Sequence, residues 1–126
     1  MKTTQLKIGK RTFALAFNMN ALFDMQDTIP EFDLSKLTSY TKSPRGMIDL
    51  IIILARQGEQ LEGRALDVDH EWFGRHLSPS PKQIAKIQQA VLGALTDGLT
   101  MESEDDEEAE HDVVLEEIKK KEETGG

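Results

Sequence analysis

Met47-Ile48-Asp49-Leu50-Ile51-Ile52-Ile53-Leu54-Ala55 is the stretch that decides the fold: nine residues with a single polar member. Ser43-Pro44 precedes it and Arg56-Gln57-Gly58 follows it. Serine as N-cap, proline in the first helical position and glycine just past the end are helix punctuation, which sets a helix over 44–57. At 1.5 Å per residue it is roughly 21 Å long, too short for a bilayer core of about 30 Å. It is therefore expected in a protein core. Burying its eight apolar side chains would contribute roughly 12–20 kcal/mol before chain entropy is counted. On the helical wheel Arg45, Asp49 and Arg56 share one narrow stripe, and Ile52 falls inside it. That position predicts an isoleucine partly exposed on the free monomer and covered by another chain.

Upstream, residues 3–8 and 11–17 read as two strands around Gly9-Lys10. Leu6 and Ile8 alternate with Gln5 and Lys7, and Phe13, Leu15 and Phe17 alternate with smaller residues. A lone hairpin is marginal in water, so its apolar face should lie on helices. Asn18 or Asn20 can cap a helix running to Thr28, stopped by Ile29-Pro30. Its methionines, Met19 and Met25, are the adaptable apolar groups that recur on binding surfaces. Asp33 caps a short helical turn carrying Leu34 and Leu37 and closed by Tyr40.

Downstream, 57–68 is polar, holds Gly58 and Gly63, and reads as loop. Asp69 caps a short helix over 70–77, anchored by Trp72, Phe73 and Leu77. His70-Glu71 with His76 resembles the zinc-peptidase pattern, in which two histidines lie four apart. Here the spacing is six, which sets them about 240° apart on a helix. One zinc could not take both, and no metal site is expected. Ser80 and Pro81 open an amphipathic helix over 81–97. Ile84, Ile87, Val91, Leu92 and Leu95 form its apolar stripe; Lys82, Lys86, Gln89 and Thr96 face away; Gly98 fits the position past its end.

The net charge of −8 divides unevenly. Residues 102–126 hold twelve acidic residues against Lys119, Lys120 and Lys121, a net of −9; residues 1–101 hold eleven acidic and twelve basic, a net of +1. The first part is read as one globular domain. The second is read as a disordered acidic tail, with a short helix at 113–121 that carries Val114, Leu115 and Ile118 and ends on its lysines. Nothing basic is dense enough to track a phosphate backbone, so nucleic-acid binding is not expected. There is no cysteine, which removes disulfides and thiolate metal sites. The first residues carry a positive charge but no apolar run, so neither a signal peptide nor a membrane anchor is expected. No Gly-rich phosphate loop or Gly-x-Ser-x-Gly elbow occurs, and the tail carboxylates sit in water with ordinary acidities. An enzyme is not expected, nor a cofactor. The fold class is α+β and mainly helical: an N-terminal hairpin packed on four to five helices.

Phe13-Ala14-Leu15-Ala16-Phe17-Asn18, Ala21-Leu22-Phe23-Asp24, the 50–55 helix with Arg56-Gln57-Gly58-Glu59, and the acidic linker into Val114-Leu115-Glu116-Glu117-Ile118-Lys119 form a layout. It resembles that of the tail assembly chaperones of long-tailed bacteriophages and prophages. The resemblance spans most of the chain but contains no sharp motif. It implies a protein without catalytic residues, in the cytoplasm of an infected or lysogenic bacterium and absent from the mature virion. Its partners would be the tape measure protein, which it keeps soluble, and the tail tube protein. The latter is contacted mainly through a longer form made by a programmed frameshift near the end of the gene. The 126-residue chain would be the shorter, unshifted form, and Lys119-Lys120-Lys121 is a place where an unbroken adenine run can be written. Candidate partner-binding residues are Met19, Met25, Ile52, Val114, Leu115 and Ile118. A rival reading, an acidic DNA mimic that blocks a host DNA-binding protein, needs charge on a rigid folded surface, whereas here it gathers in the tail.

Overall fold

The computed structural model describes residues 3–109, with side chains as far as Thr100. Strands β1 (Thr4–Ile8) and β2 (Arg11–Leu15) form an antiparallel hairpin in which Leu6 faces Phe13 and Ile8 faces Arg11. Gly9, at φ +63°, and Lys10 make the two-residue connection, with glycine first as a II′ turn demands. Helix α1 (Met19–Thr28), a 3-10 helix (Leu34–Lys42), α2 (Pro44–Leu61), α3 (His70–His76) and α4 (Pro81–Ala109) follow. The expected class, a hairpin packed on four to five helices, is the observed one, with five among the described residues. Among the described residues no helix is long and apolar enough to cross a membrane.

The caps are those that the sequence announces. Asn18 accepts from the Ala21 N–H, Asp33 from Ser35, Ser43 from Gly46 and Asp69 from Trp72, each supplying one donor-starved helix start with an oxygen. The central helix α2 touches β2, the 3-10 helix, α1, α3 and α4. Between Leu50 and Glu59 only Arg56 is exposed. Around α2 the core collects Phe13 and Leu15 from β2, Met25 from α1, Phe73 from α3 and Val91 from α4, all fully buried.

Two glycines correct the expected boundaries. Gly58 does not end α2, which runs on to Leu61; a Cβ at Gly58 would overlap the Ala14 carbonyl. Gly98 does not end α4, because a Cβ there would overlap the Phe17 carbonyl and side chain, and the helix backbone continues to Ala109. Both are points where a helix lies directly against the β2 backbone or the residues just after it, which only a residue without a Cβ allows. The loop expected over 57–68 accordingly begins only at Glu62. From Glu102 the described backbone, to Ala109, is helical; the rest of the expected tail and the 113–121 helix lie outside the described residues.

The outer edge of β2 is closed by α2. The Ala16 N–H donates to the Leu54 carbonyl at 3.0 Å, and the Ala14 N–H donates to a Glu59 carboxylate oxygen at 2.8 Å. A two-stranded sheet thus keeps one edge covered, as an unpaired edge requires. Glu59, read from sequence as part of a polar loop, is buried. Its carboxylate is held by Arg64 Nε at 2.9 Å and a second Arg64 nitrogen at 3.0 Å.

Candidate interaction surface

The polar stripe of α2 is spanned from both sides. His70 of α3 donates through Nε2 to Asp49 Oδ1 at 2.7 Å, and Asp24 of α1 pairs with Arg56 at 3.5 Å. The neighbours of Ile52 on the helix surface are therefore tied to two flanking elements, and Ile52 is only 5% exposed. The expectation of a partly exposed Ile52 is overturned, since α1 and α3 close over the stripe. Ile52→Ser should cost about 2 kcal/mol or more of folding stability, the range for a core truncation. A denaturant titration with unchanged midpoint would contradict this.

Met25 is also core, fully buried against α2. Met19, by contrast, is 60% exposed, and Phe23, one turn further along α1, is 52% exposed. The two methionines share one helix but look opposite ways, because Ala21 and Met25 take the face turned to α2. Val114, Leu115 and Ile118 lie outside the described residues, as do the three lysines after them.

Three shallow depressions are formed by the described residues. One, of about 490 Å³, is lined by Pro44, Arg45, Ile48 and His70. The second, about 480 Å³, lies over Leu66, Asp67, Val68, Asp69, Trp72 and Arg75. Its polar groups are already engaged. Arg11 pairs with Asp67 at 2.9 Å and holds that carboxyl below the usual aspartate range. The same guanidinium lies over the Phe13 and Trp72 rings, 4.9 and 5.5 Å from their centroids. Asp69 caps α3. His76 stacks on Trp72 and donates through Nδ1 to its carbonyl at 2.8 Å. Thus His70 and His76 serve two different structural contacts. Among the described residues no three His, Asp or Glu side chains are gathered so as to hold a metal ion.

The third depression is an apolar groove between the 3-10 helix and α4. Leu34, Leu37, Leu92, Leu95 and Leu99 line it, with Ser35, Thr38 and Thr96 at its lips. Gln88 of α4 donates to the Thr41 carbonyl at 2.9 Å and ties the two elements together. The expected helix over 81–97, with Gly98 past its end, leaves Leu99 outside it, whereas α4 carries Leu99 on its surface. With the helix continued, Leu92, Leu95 and Leu99 fall at i, i+3 and i+7, the spacing of one face.

Comparison with known proteins finds no family model, no curated sequence and no solved structure that matches the chain. The reading of function therefore rests on the chemistry of this surface and the layout of the sequence.

Proposed function

We propose that the protein is a tail assembly chaperone of a long-tailed bacteriophage or prophage. It binds and solubilises the tape measure protein and helps recruit tail tube subunits, in the cytoplasm of the bacterium, and does not remain in the mature virion. The observation that carries this reading is the exposed pair Met19 and Phe23 on α1. The two lie one turn apart and form one contiguous apolar spot, unlike single exposed residues, which carry no such meaning, and methionine adapts its shape to varied partners. An amphipathic helix of the client would lay its apolar stripe against such a face. The net charge of −9 on residues 102–126 keeps a complex of apolar helices in solution.

The test is co-expression with the long coiled-coil protein whose gene is expected to lie just downstream. The unaltered chain should hold that protein in the soluble fraction and co-purify with it. The double variant Met19→Ser, Phe23→Ser should lose most of this while its unfolding midpoint moves by no more than a few degrees, about 0.5 kcal/mol per exposed site. Full solubilisation by the variant would overturn the reading. So would recovery of a host DNA-binding enzyme in place of the tape measure protein.

A further inference from the structure

The hairpin has a second edge. On β2 and just after it, the main-chain N–H groups that turn away from β1 belong to Ala14 and Ala16, and α2 takes both. In an antiparallel pair, residues opposite one another both direct their main-chain groups inward or both outward. Gln5 lies opposite Ala14 and Lys7 opposite Thr12. The N–H and C=O groups of Gln5 and Lys7 therefore point away from β2, along the open side of β1. Both residues are exposed, and among the described residues nothing bonds to those main-chain groups there. Helix α4 leaves them free, because it packs under the inward face, where Thr4 donates to Asp97 at 3.2 Å and Leu6 and Ile8 are buried. An edge left in this way is a template for one more strand.

We propose that the strand it takes is β1 of a second copy, in antiparallel two-fold pairing centred on Gln5. The charges beside this edge complement themselves. Thr3, Gln5 and Lys7 share the solvent face of the hairpin by alternation. Gln5 Nε2 donates to the Thr3 hydroxyl at 3.2 Å, and that hydroxyl donates to a Glu62 carboxylate oxygen at 3.1 Å. One end of the edge is thus negative and the other, at Lys7, positive. Neither Lys7 nor Glu62 has an ion-pair partner among the described residues. An axis at Gln5 sets Lys7 of each copy opposite Thr3 of the other, beside Glu62, and satisfies both ends at once. The other registers are worse. An axis at Lys7 opposes the two lysines directly, and one at Leu6 leaves them on diagonal positions, where like charges still repel. An unrelated strand would need a cation and an anion at matching ends; a second copy carries that pattern already.

The pairing joins two hairpins into one four-stranded sheet and does not involve α1, so it stands whatever the client is. So short an edge makes a small, transient interface, below about 1,200 Å². The full chain is therefore followed by sedimentation into the millimolar range. A dimer should appear as concentration rises. Amide exchange of Gln5 and Lys7 should slow with it at least about threefold, while Ala14 and Ala16, bonded within the monomer, keep their rates. In a mixture of labelled and unlabelled copies, the α-protons of Thr4 and Leu6 should be in contact across the axis, as narrow antiparallel pairs are. Lys7→Glu sets carboxylates against each other at both ends and should weaken the dimer roughly tenfold. Adding Glu62→Lys to that variant should restore it, and since both sites are exposed the unfolding midpoints should stay in place. A chain that remains monomeric throughout would overturn the proposal and leave the edge to a strand of another protein. Equal dimerisation of the unaltered and Lys7→Glu chains would overturn it as well. So would protection of Gln5 and Lys7 that does not vary with concentration, which would assign the edge to a segment of the same chain.

Discussion

Gly58→Ala is expected to destabilise the protein by about 3 kcal/mol, although alanine is the better helix former. In an open helix interior this change is favourable by about 0.5–1 kcal/mol. At Gly58 the added methyl would enter the space of the Ala14 carbonyl, a backbone atom with no rotamer to relax into. The strand cannot step aside either, since Ala16 and Ala14 are hydrogen-bonded to Leu54 and Glu59 on that same helix. Overpacking of this kind costs about 1–3 kcal/mol and sometimes more, enough to reverse the sign. Gly93→Ala supplies the contrast. It lies in α4 with nothing near its missing Cβ, and should stabilise by about 0.5–1 kcal/mol. Thermal scans of the two variants should separate by well over about 10 °C, given about 4–8 °C per kcal/mol for a body of this size. Equal midpoints would show that α2 is not clamped on β2.

Glu59→Ala should cost about as much, roughly 3 kcal/mol, for a different reason. It strands the buried Ala14 N–H, a loss of about 1–3 kcal/mol, and removes a pairing with the exposed Arg64 that solvent largely screens. Glu59→Gln keeps an acceptor for Ala14 and should cost about 1 kcal/mol. The two variants also differ from the unaltered protein in acid. Hydrogen bonds from Arg64 hold the Glu59 carboxyl below its ordinary value of 4.5; burial opposes this and the Ala14 N–H assists it. The folded state therefore binds this proton later than the unfolded chain as pH falls. Its contribution is complete above pH 4.5 and declines as pH drops from there through the depressed folded value. In Glu59→Gln the acid limb of the stability curve should flatten below that pH. What remains comes in part from Asp33 and Asp67, whose exposed carboxyls are lowered by Ser35 and Arg11. An unchanged acid limb in Glu59→Gln would show that the carboxylate adds nothing.

Much of the fold is legible because its signals are local. The alternation of Leu6 and Ile8, the caps Asn18, Asp33, Ser43 and Asp69, and the stripe of Ile87, Val91 and Leu95 each state themselves within a few residues. The misreadings share one cause. A glycine after an apolar run means a helix end if nothing touches it and a close crossing if something does. The partners of Gly58 and Gly98 lie at Ala14 and Phe17, far off in sequence. Glu59 sits in a run that reads as solvated, and its burial depends on the bare edge of β2, which no window around residue 59 contains. The exposed apolar surface was half legible for the same reason. Met19 and Met25 fall on different faces of α1, and only the position of α2 decides which of those faces meets water. Ile52 was misjudged because its polar neighbours recruit Asp24 and His70 instead of solvent.

The crossing of Phe17 by Gly98, together with the hydrogen bond from Thr4 to Asp97, bears on how the chain is born. A hairpin closes in about 1–10 μs, but at about 5–20 residues per second the ribosome needs roughly 4–16 s more to deliver the residues that seal this one against α4. Through that interval the nascent strand pair waits with the flank that faces α4 uncovered. Folding of the body is thus gated by translation of its last helix. Synonymous codons that slow elongation between residues 60 and 98 should lengthen the vulnerable interval, and with it the share of new chains lost to aggregation, without altering a single contact in the finished protein.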